Sequence, residues 1–261
     1  MCYDVSFMVE IRQLSDYFPD LIVDDQIEIN FDSTHIIGHL YQEHPIIYRN
    51  KEDKKLHLRM MEWGCIPFYV KDLDTYKGQR ATMLNARSER ILEDTKSYWY
   101  KIRNRRCLIP QTGFYEHRKV AGFKNKVPYF ITLKDQPMFF LHGLYSVAEI
   151  VDKETGELVK IWSYTLITSG ANSVMQQIHN DGENKWRMPL MLPFEHSKKW
   201  LDEELPPKEY KTILDFEMPS AALNCIPVYT IRSAKLRPDD KPKKEYFEWQ
   251  NLPELHLEES H

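Results

Sequence analysis

Hydrophobic positions along the chain fall mostly in short runs, and few of them keep a helical spacing. The runs Leu56–Met61, Arg106–Pro110, Tyr129–Leu133, Met138–Leu144, Ile161–Thr168 and Leu223–Tyr229 are rich in β-branched or aromatic residues. Each is bounded by Pro, Gly or charge, which predicts strands. One longer stretch has helical spacing. Ile91, Leu92, Thr95, Trp99 and Ile102 share a stripe behind Ser88, a residue suited to capping. Asn172–Ile178, Phe194–Leu201 and Lys208–Leu214 predict shorter helices. Strands with helices scattered among them, without βαβ alternation, point to an α+β or sheet-barrel architecture. From Lys235 onward the chain is charged and contains Pro. A domain over 1–234 and a loosely attached tail over 235–261 are therefore expected.

Composition narrows the function classes. Of 261 residues 42% are hydrophobic and 28% charged, as in globular proteins. No apolar run is long enough for a membrane-spanning helix. The opening Met-Cys-Tyr-Asp-Val-Ser has neither the basic flank nor the apolar stretch of a secretory signal. Cysteines at 2, 65, 107 and 225 form no CxxC pair, and they read as reduced thiols of a cytoplasmic protein. His35, His39 and His44 are closely spaced but lack a companion carboxylate or cysteine. Structural or surface roles are expected for them, and neither a metal nor a cofactor.

Charge is unevenly distributed. The chain is −4 overall; residues 1–50 hold two basic and nine acidic residues, and residues 77–126 hold thirteen basic and four acidic. The second window, at +9, is interleaved with Tyr98, Trp99, Tyr100, Phe114, Tyr115 and Phe123. Cations with exposed rings suit single-stranded nucleic acid. A solvated basic face over core aromatics has the same composition.

The chemistry begins at Cys2. Removal of Met1 would leave an α-amine, with a pKa near 7.7–8.0, and a thiol on one residue. Such a 1,2-aminothiol can attack an aldehyde twice, first as an imine and then by closing a thiazolidine. Four strings follow: Trp63-Gly-Cys-Ile-Pro67, Asn85-Ala-Arg-Ser-Glu89, Arg106-Cys-Leu-Ile-Pro-Gln-Thr-Gly-Phe-Tyr-Glu116, and His179 with a later Arg187-Met-Pro189. Asn85 can hold a backbone group or an intermediate. Glu116 has apolar neighbours that would raise its pKa toward proton transfer. His179, at a predicted helix end, could serve as a second acid–base or phosphate donor.

With Met1-Cys2, a Pro128-Tyr-Phe segment and His142-Gly-Leu-Tyr145, these strings resemble the SRAP family of SOS-response-associated peptidases, which includes abasic-site-processing proteins. The resemblance spans residues 1 to about 230. It implies a single α+β domain with a barrel-like, mainly antiparallel sheet core flanked by helices and a basic groove for single-stranded DNA. It implies covalent capture of abasic sites through Cys2 after peptidase-like processing of the N-terminus. Asn85 would position the reacting centre, Glu116 would move protons, and His179 would lie beside sugar and phosphate. Arg87 would bind phosphate. Trp63 heads the string whose ring-bearing sequel, Phe68 and Tyr69, would meet DNA bases, and Arg187 completes the DNA-binding set. A cytoplasmic monomer is expected.

The sequence also departs from the family. Tyr3 and Asp4 stand where members carry Gly-Arg, His117 stands where a Trp is usual, and no Tyr-Asn-x-Ala-Pro segment is visible between residues 30 and 50. Asn180 to Trp186 separate His179 from Arg187, so either a loop bulges out there or Arg187 has left its role. Two other functions use the same residues: a cysteine peptidase or other N-terminal-nucleophile hydrolase working through Cys2, Glu116 and His179, and a non-catalytic single-strand binder.

Overall fold

The apolar runs become strands that pair into two sheets. The structure, a computed structural model, describes residues 2–8, 11–24 and 32–256. Its strands are β1 (Asp4–Met8), β2 (Ile22–Val23), β3 (Asp32–Ile37), β4 (Glu43–Arg49), β5 (Leu56–Trp63), β6 (Asn85–Arg87), β7 (Arg106–Gln111), β8 (Gly113–Arg118), β9 (Val127–Leu133), β10 (Phe139–Val151), β11 (Leu158–Gly170), β12 (Arg187–Pro189) and β13 (Leu223–Pro227). Its helices are α1 (Leu14–Tyr17), α2 (Leu73–Arg80), α3 (Glu89–Leu92), α4 (Tyr98–Lys101), α5 (Ser173–Ile178), α6 (Phe194–Trp200) and α7 (Pro207–Leu214).

Five strands close into a barrel. β11, β10, β7, β4 and β5 pair in that order, all antiparallel. β5 then returns to β11 in parallel, with Glu62 opposite Ser163 and Trp63 opposite Tyr164. Closure removes the open edges that would otherwise invite pairing with other chains. β6 and β12 lie along the outer part of β11. The second sheet, β13-β9-β8-β1-β3, is antiparallel throughout.

Thr112 alone separates β7 from β8, and there the chain passes from barrel to second sheet. Its amide donates to the Ser6 carbonyl at 2.8 Å and its hydroxyl at 3.0 Å, which ties β1 to the crossover. Two motif glycines have steric causes. A Cβ at Gly113 would sit 2.3 Å from the Phe130 ring. Gly64 has φ +103°, and a Cβ there would lie 2.8 Å from the Tyr41 ring.

Two expectations change. The helix read from Ser88 through Ile102 is split into α3 and α4. Asp94 Oδ1 accepts the amides of Lys96 and Ser97, both at 3.2 Å, and Ser97 Oγ accepts the Trp99 amide at 3.2 Å. Short polar side chains thus compete for the backbone and interrupt the helix. Ser88 makes no capping bond, although Ile91, Trp99 and Ile102 are buried as the stripe requires.

The segment from Lys235 is docked as far as His256. Arg237 is buried and donates to Asp239 and to the carbonyls of Pro242, Glu245 and Tyr246. Trp249 Nε1 donates to the Val228 carbonyl at 3.1 Å, and Gln177 Nε2 to the His256 carbonyl at 2.8 Å. One buried arginine collects the acceptors that a strand would otherwise pair, so a charged sequence can still pack. Residues 257–261 of the expected tail, and Met1, lie outside the described residues.

Candidate active site

β1 runs between β3 and β8, with Asp4 opposite Ile37 on one side and Tyr115 on the other. This pairing carries residues 2–4 over the end of β8. Cys2 is buried, with Sγ 3.7 Å from the Asp4 carbonyl oxygen. Burial pushes its thiol well above the ordinary range, and the Glu116 carboxylate pushes it further. Asn85, beside β11 on β6, donates from Nδ2 to the Cys2 carbonyl at 3.0 Å. Its Oδ1 is buried without a hydrogen-bond partner among the described residues. Glu116 is buried on β8; its Oε1 is likewise unpartnered, and burial raises its pKa to about 7.

His179 is the residue on which α5 ends. Asn172 starts that helix by accepting the Met175 amide at 2.9 Å, and it anchors the turn by donating to the Met218 carbonyl at 2.7 Å. Burial lowers the His179 pKa to about 4, so the ring is neutral near pH 7. Its Nδ1 sits 3.0 Å from the Arg187 carbonyl oxygen and 3.2 Å from the Arg187 amide nitrogen. Glu116 and His179 share a cleft of about 360 Å³ with Tyr3, Asp4, Asp181 and Arg232. The four residues read as catalytic are therefore brought together.

Asn180 to Trp186 do bulge out as a loop. The Trp186 amide donates to the His179 carbonyl at 2.8 Å, closing it at the base. Asn180 brackets the Lys119 backbone with two bonds of 2.9 Å, and Asp181 pairs with Lys119 at 3.1 Å and Lys126 at 3.0 Å. Asn184 Oδ1 accepts from Arg87 at 2.6 Å, so the exposed Arg87 is tethered over the cleft's rim. The loop leaves Arg187 next to His179, but its guanidinium is engaged by both Glu89 oxygens and by the Thr168 carbonyl. The Glu of the Asn-Ala-Arg-Ser-Glu string thus holds the Arg of Arg-Met-Pro. Arg187, read as DNA-binding, is buttressing in this structure.

Trp63 also differs from its reading. Its side chain is 0% exposed, lies parallel to Tyr164 with ring centroids 6.1 Å apart, and donates to the Leu84 carbonyl at 3.0 Å. A ring facing into the barrel cannot meet a base. The exposed rings are its sequel: Phe68 and Tyr69 at 42% and 58%, braced against Tyr98. At least six of the thirteen cations of 77–126 are engaged by the protein itself. Arg80 is buried against Glu62, Arg106 reaches the Asp202 carbonyl, and Lys77, Arg90, Lys119 and Lys126 have acidic partners. His35, His39 and His44 are dispersed: to Asp4 at 2.7 Å, to the Tyr3 ring, and to the Pro110 carbonyl at 2.9 Å.

Two features escaped the sequence reading. Tyr164 Oη is fully buried and unpartnered among the described residues, and burial, with Cys107 and Cys2 nearby, raises its pKa well above the ordinary range. An aromatic residue in a strand-like run gives no sign of that. Asp4 accepts from Arg232 Nε at 3.0 Å and Nη2 at 2.5 Å, and contacts His35. Nothing local in the sequence joins positions 228 residues apart.

Comparisons with known proteins converge on one family. A family model described as SOS response associated peptidase (SRAP) matches residues 1–231. Abasic site processing protein YoaM of Bacillus subtilis (strain 168) is 32% identical over 154 residues, which is 59% of this chain and 60% of that protein. Abasic site processing protein HMCES of Rattus norvegicus is 29% identical over 162 residues, 54% of this chain and 44% of that protein. The matches thus span 60% or less of these relatives' lengths. A crystal structure of a protein from Bacteroides thetaiotaomicron superposes with a TM-score of 0.71 at 27% identity, covering 94% of this chain and 97% of that one.

Proposed function

Since the chain belongs to the SRAP family, we propose that it captures abasic sites in single-stranded DNA as a covalent adduct on Cys2 once Met1 has been removed. The observation that carries this reading is the buried pairing of Cys2 with groups suited to its chemistry. Asn85 fixes its carbonyl, and Glu116 stands beside it with a pKa of about 7. A group that titrates near neutrality can both give and take a proton there. Relatives bearing the printed name abasic site processing protein support the choice of substrate.

The chemistry runs in two steps. The neutral α-amine of Cys2 attacks the aldehyde carbon of the ring-opened sugar. Glu116 gives a proton to the departing oxygen and receives one from the nitrogen, so water leaves and an imine remains. The thiol then adds to the imine carbon, its proton passing to the nitrogen, and a five-membered thiazolidine closes. No oxidant or reductant is consumed. An amine-first order suits a thiol held protonated by burial.

The same facts weigh against the two other readings. A peptidase needs a thiolate, commonly paired with an imidazolium. Here burial raises the thiol and lowers the His179 ring. A non-catalytic binder has no use for unpartnered buried oxygens on Asn85, Glu116 and Tyr164. Each costs about 1–3 kcal/mol.

The test uses an abasic single-stranded oligonucleotide and a denaturing gel. Processed wild type should give a heat-stable adduct. Cys2→Ser should give at most an imine that survives only after borohydride reduction. A form with an extra N-terminal residue that resists removal should give neither. Equal heat-stable yield from the blocked form, or attachment mapped by mass spectrometry to Cys65, Cys107, Cys225 or a lysine, would overturn the proposal.

A further inference from the structure

Asp4 lines a cleft proposed to face DNA. By itself it would repel phosphate. Its side chain, however, is 3% exposed, whereas that of Arg232 is 47% exposed. Burial draws the Asp4 carboxyl pKa upward, but hydrogen bonds from His35 and Arg232 outweigh it and hold the group below the ordinary carboxylate value. Asp4 is therefore an anion turned inward, with a cation laid over it.

The geometry of that cation matters. Arg232 Nε and Nη2 each give one bond to Asp4, at 3.0 and 2.5 Å. A guanidinium has five N–H donors, so three remain, and no acceptor for them is found among the described residues. Asp4 takes the Nε and Nη2 side of the planar fork, which leaves the Nη1 and Nη2 edge open, and Arg232 lines the cleft that holds Glu116 and His179. The other cations nearby are committed differently. Asp181 engages Lys119 and Lys126 on the same cleft, and Glu89 engages both Nη atoms of Arg187.

Arg232 is held there by the fold. Val228 pairs with Tyr246, the Phe247 amide donates to the Pro227 carbonyl at 2.9 Å, and Arg237 gathers the carbonyls of Pro242, Glu245 and Tyr246. The stretch between Val228 and Tyr246 is thus a closed loop, and Arg232 lies on it. The SRAP model ends at residue 231, so this cation lies beyond the part of the chain matched to the family.

We propose that Arg232, held in place by Asp4, binds a backbone phosphate of the single strand in the cleft that holds Glu116 and His179. This rests on the function proposed above. A planar fork with one edge anchored and the other open suits a phosphate with two non-bridging oxygens.

The test separates binding from chemistry. Binding is measured with a single-stranded oligonucleotide carrying a tetrahydrofuran abasic analogue, which has no aldehyde. Adduct formation is measured with the aldehyde-bearing oligonucleotide. Arg232→Ala should weaken binding about tenfold and reduce the slope of log affinity against log salt by about 0.7, one phosphate for a single strand. Arg232→Lys should keep the slope. Unchanged affinity in Arg232→Ala, or weaker affinity at an unchanged slope, would overturn the proposal. If wild type binds the analogue with the Arg232-dependent slope but forms no adduct, Arg232 keeps its role and the Cys2 reaction falls.

Discussion

The two ends of the barrel treat their polar groups differently. At the end where β4 and β5 meet β2, Asp24 contacts His57 Nδ1 at 2.7 Å and Arg59 at 2.6 Å. Asp53 takes His57 Nε2 at 2.9 Å, and Arg59 lies over the Trp162 ring at 4.5 Å. These four charged groups are paired with one another. At the other end, next to Cys2, oxygens of Asn85, Glu116 and Tyr164 are buried with no partner among the described residues. One end spends its polar groups on holding strands together. The other leaves three oxygens without such a bond around Cys2. By volume the Cys2 cleft is unexceptional: a groove at the opposite mouth, lined by Arg59 and Trp162, measures about 450 Å³.

The contrast can be broken most severely at Glu116. Glu116→Gln keeps the shape and removes the titration, so adduct formation should slow by about 10²–10⁴-fold. The same substitution should change stability with pH. A carboxyl whose folded pKa is raised from 4.5 to about 7 contributes its full stability below the unfolded value. It loses that contribution as pH rises through 7, on the order of 3 kcal/mol in all. Chemical denaturation from pH 5 to 8 should show wild type declining relative to Glu116→Gln. Parallel profiles would remove Glu116 from its unpaired state.

The saturated end should respond with stability and not with chemistry. Asp24→Asn is expected to cost about 1–3 kcal/mol while the adduct rate stays at the wild-type value. Burial pulls His57 down, but Asp24 and Asp53 prevail and raise it above the ordinary histidine value. Its contribution is therefore complete below that value and is lost as pH rises through the folded pKa. The penalty of Asp24→Asn, read by denaturation, should be larger at pH 6 than at pH 9. A slower adduct rate at unchanged stability would reverse the assignment of the two ends.

A third, smaller effect lies outside the barrel. Tyr69 is exposed and touches Phe68 and Tyr98. Tyr69→Ala should weaken single-strand binding by about 1 kcal/mol, the low end for a base on a ring, with no change in melting temperature. A fall in melting temperature without loss of affinity would make the ring structural, as Trp63 is.

Six strands, β5, β7, β9, β10, β11 and β13, were legible because each is a local run of suitable residues. Barrel closure was not, since it depends on Trp63 reaching Tyr164 in parallel across a hundred residues. The stripe through Ile91, Trp99 and Ile102 gave burial correctly and continuity wrongly, because Asp94 and Ser97 act on the backbone rather than on the stripe. At the site, Cys2, Asn85, Glu116 and His179 were readable from short strings. Trp63 was not, because a motif tryptophan looks alike whether it faces a base or the core. Arg187 was half readable: its closeness to His179 survives the inserted loop, but Glu89 takes its charge. The charged segment after Lys235 read as loose because no pattern in it reveals that Arg237 would be buried.

The long reach between Asp4 and Arg232 has a consequence in time. A chain is made from its amino end, so Cys2 emerges more than a hundred residues before β8, and Arg232 comes more than a hundred residues later still. Until β8 arrives, β1 lacks one of its two neighbours and Cys2 lacks the strand that bears Glu116. The amino end is then open to whatever trims it, and its thiol has no assembled centre in which to act. Contacts of such separation form late, after the local ones. If Cys2 reacts as proposed, its reactivity toward aldehydes is withheld until the strand that bears Glu116 is in place.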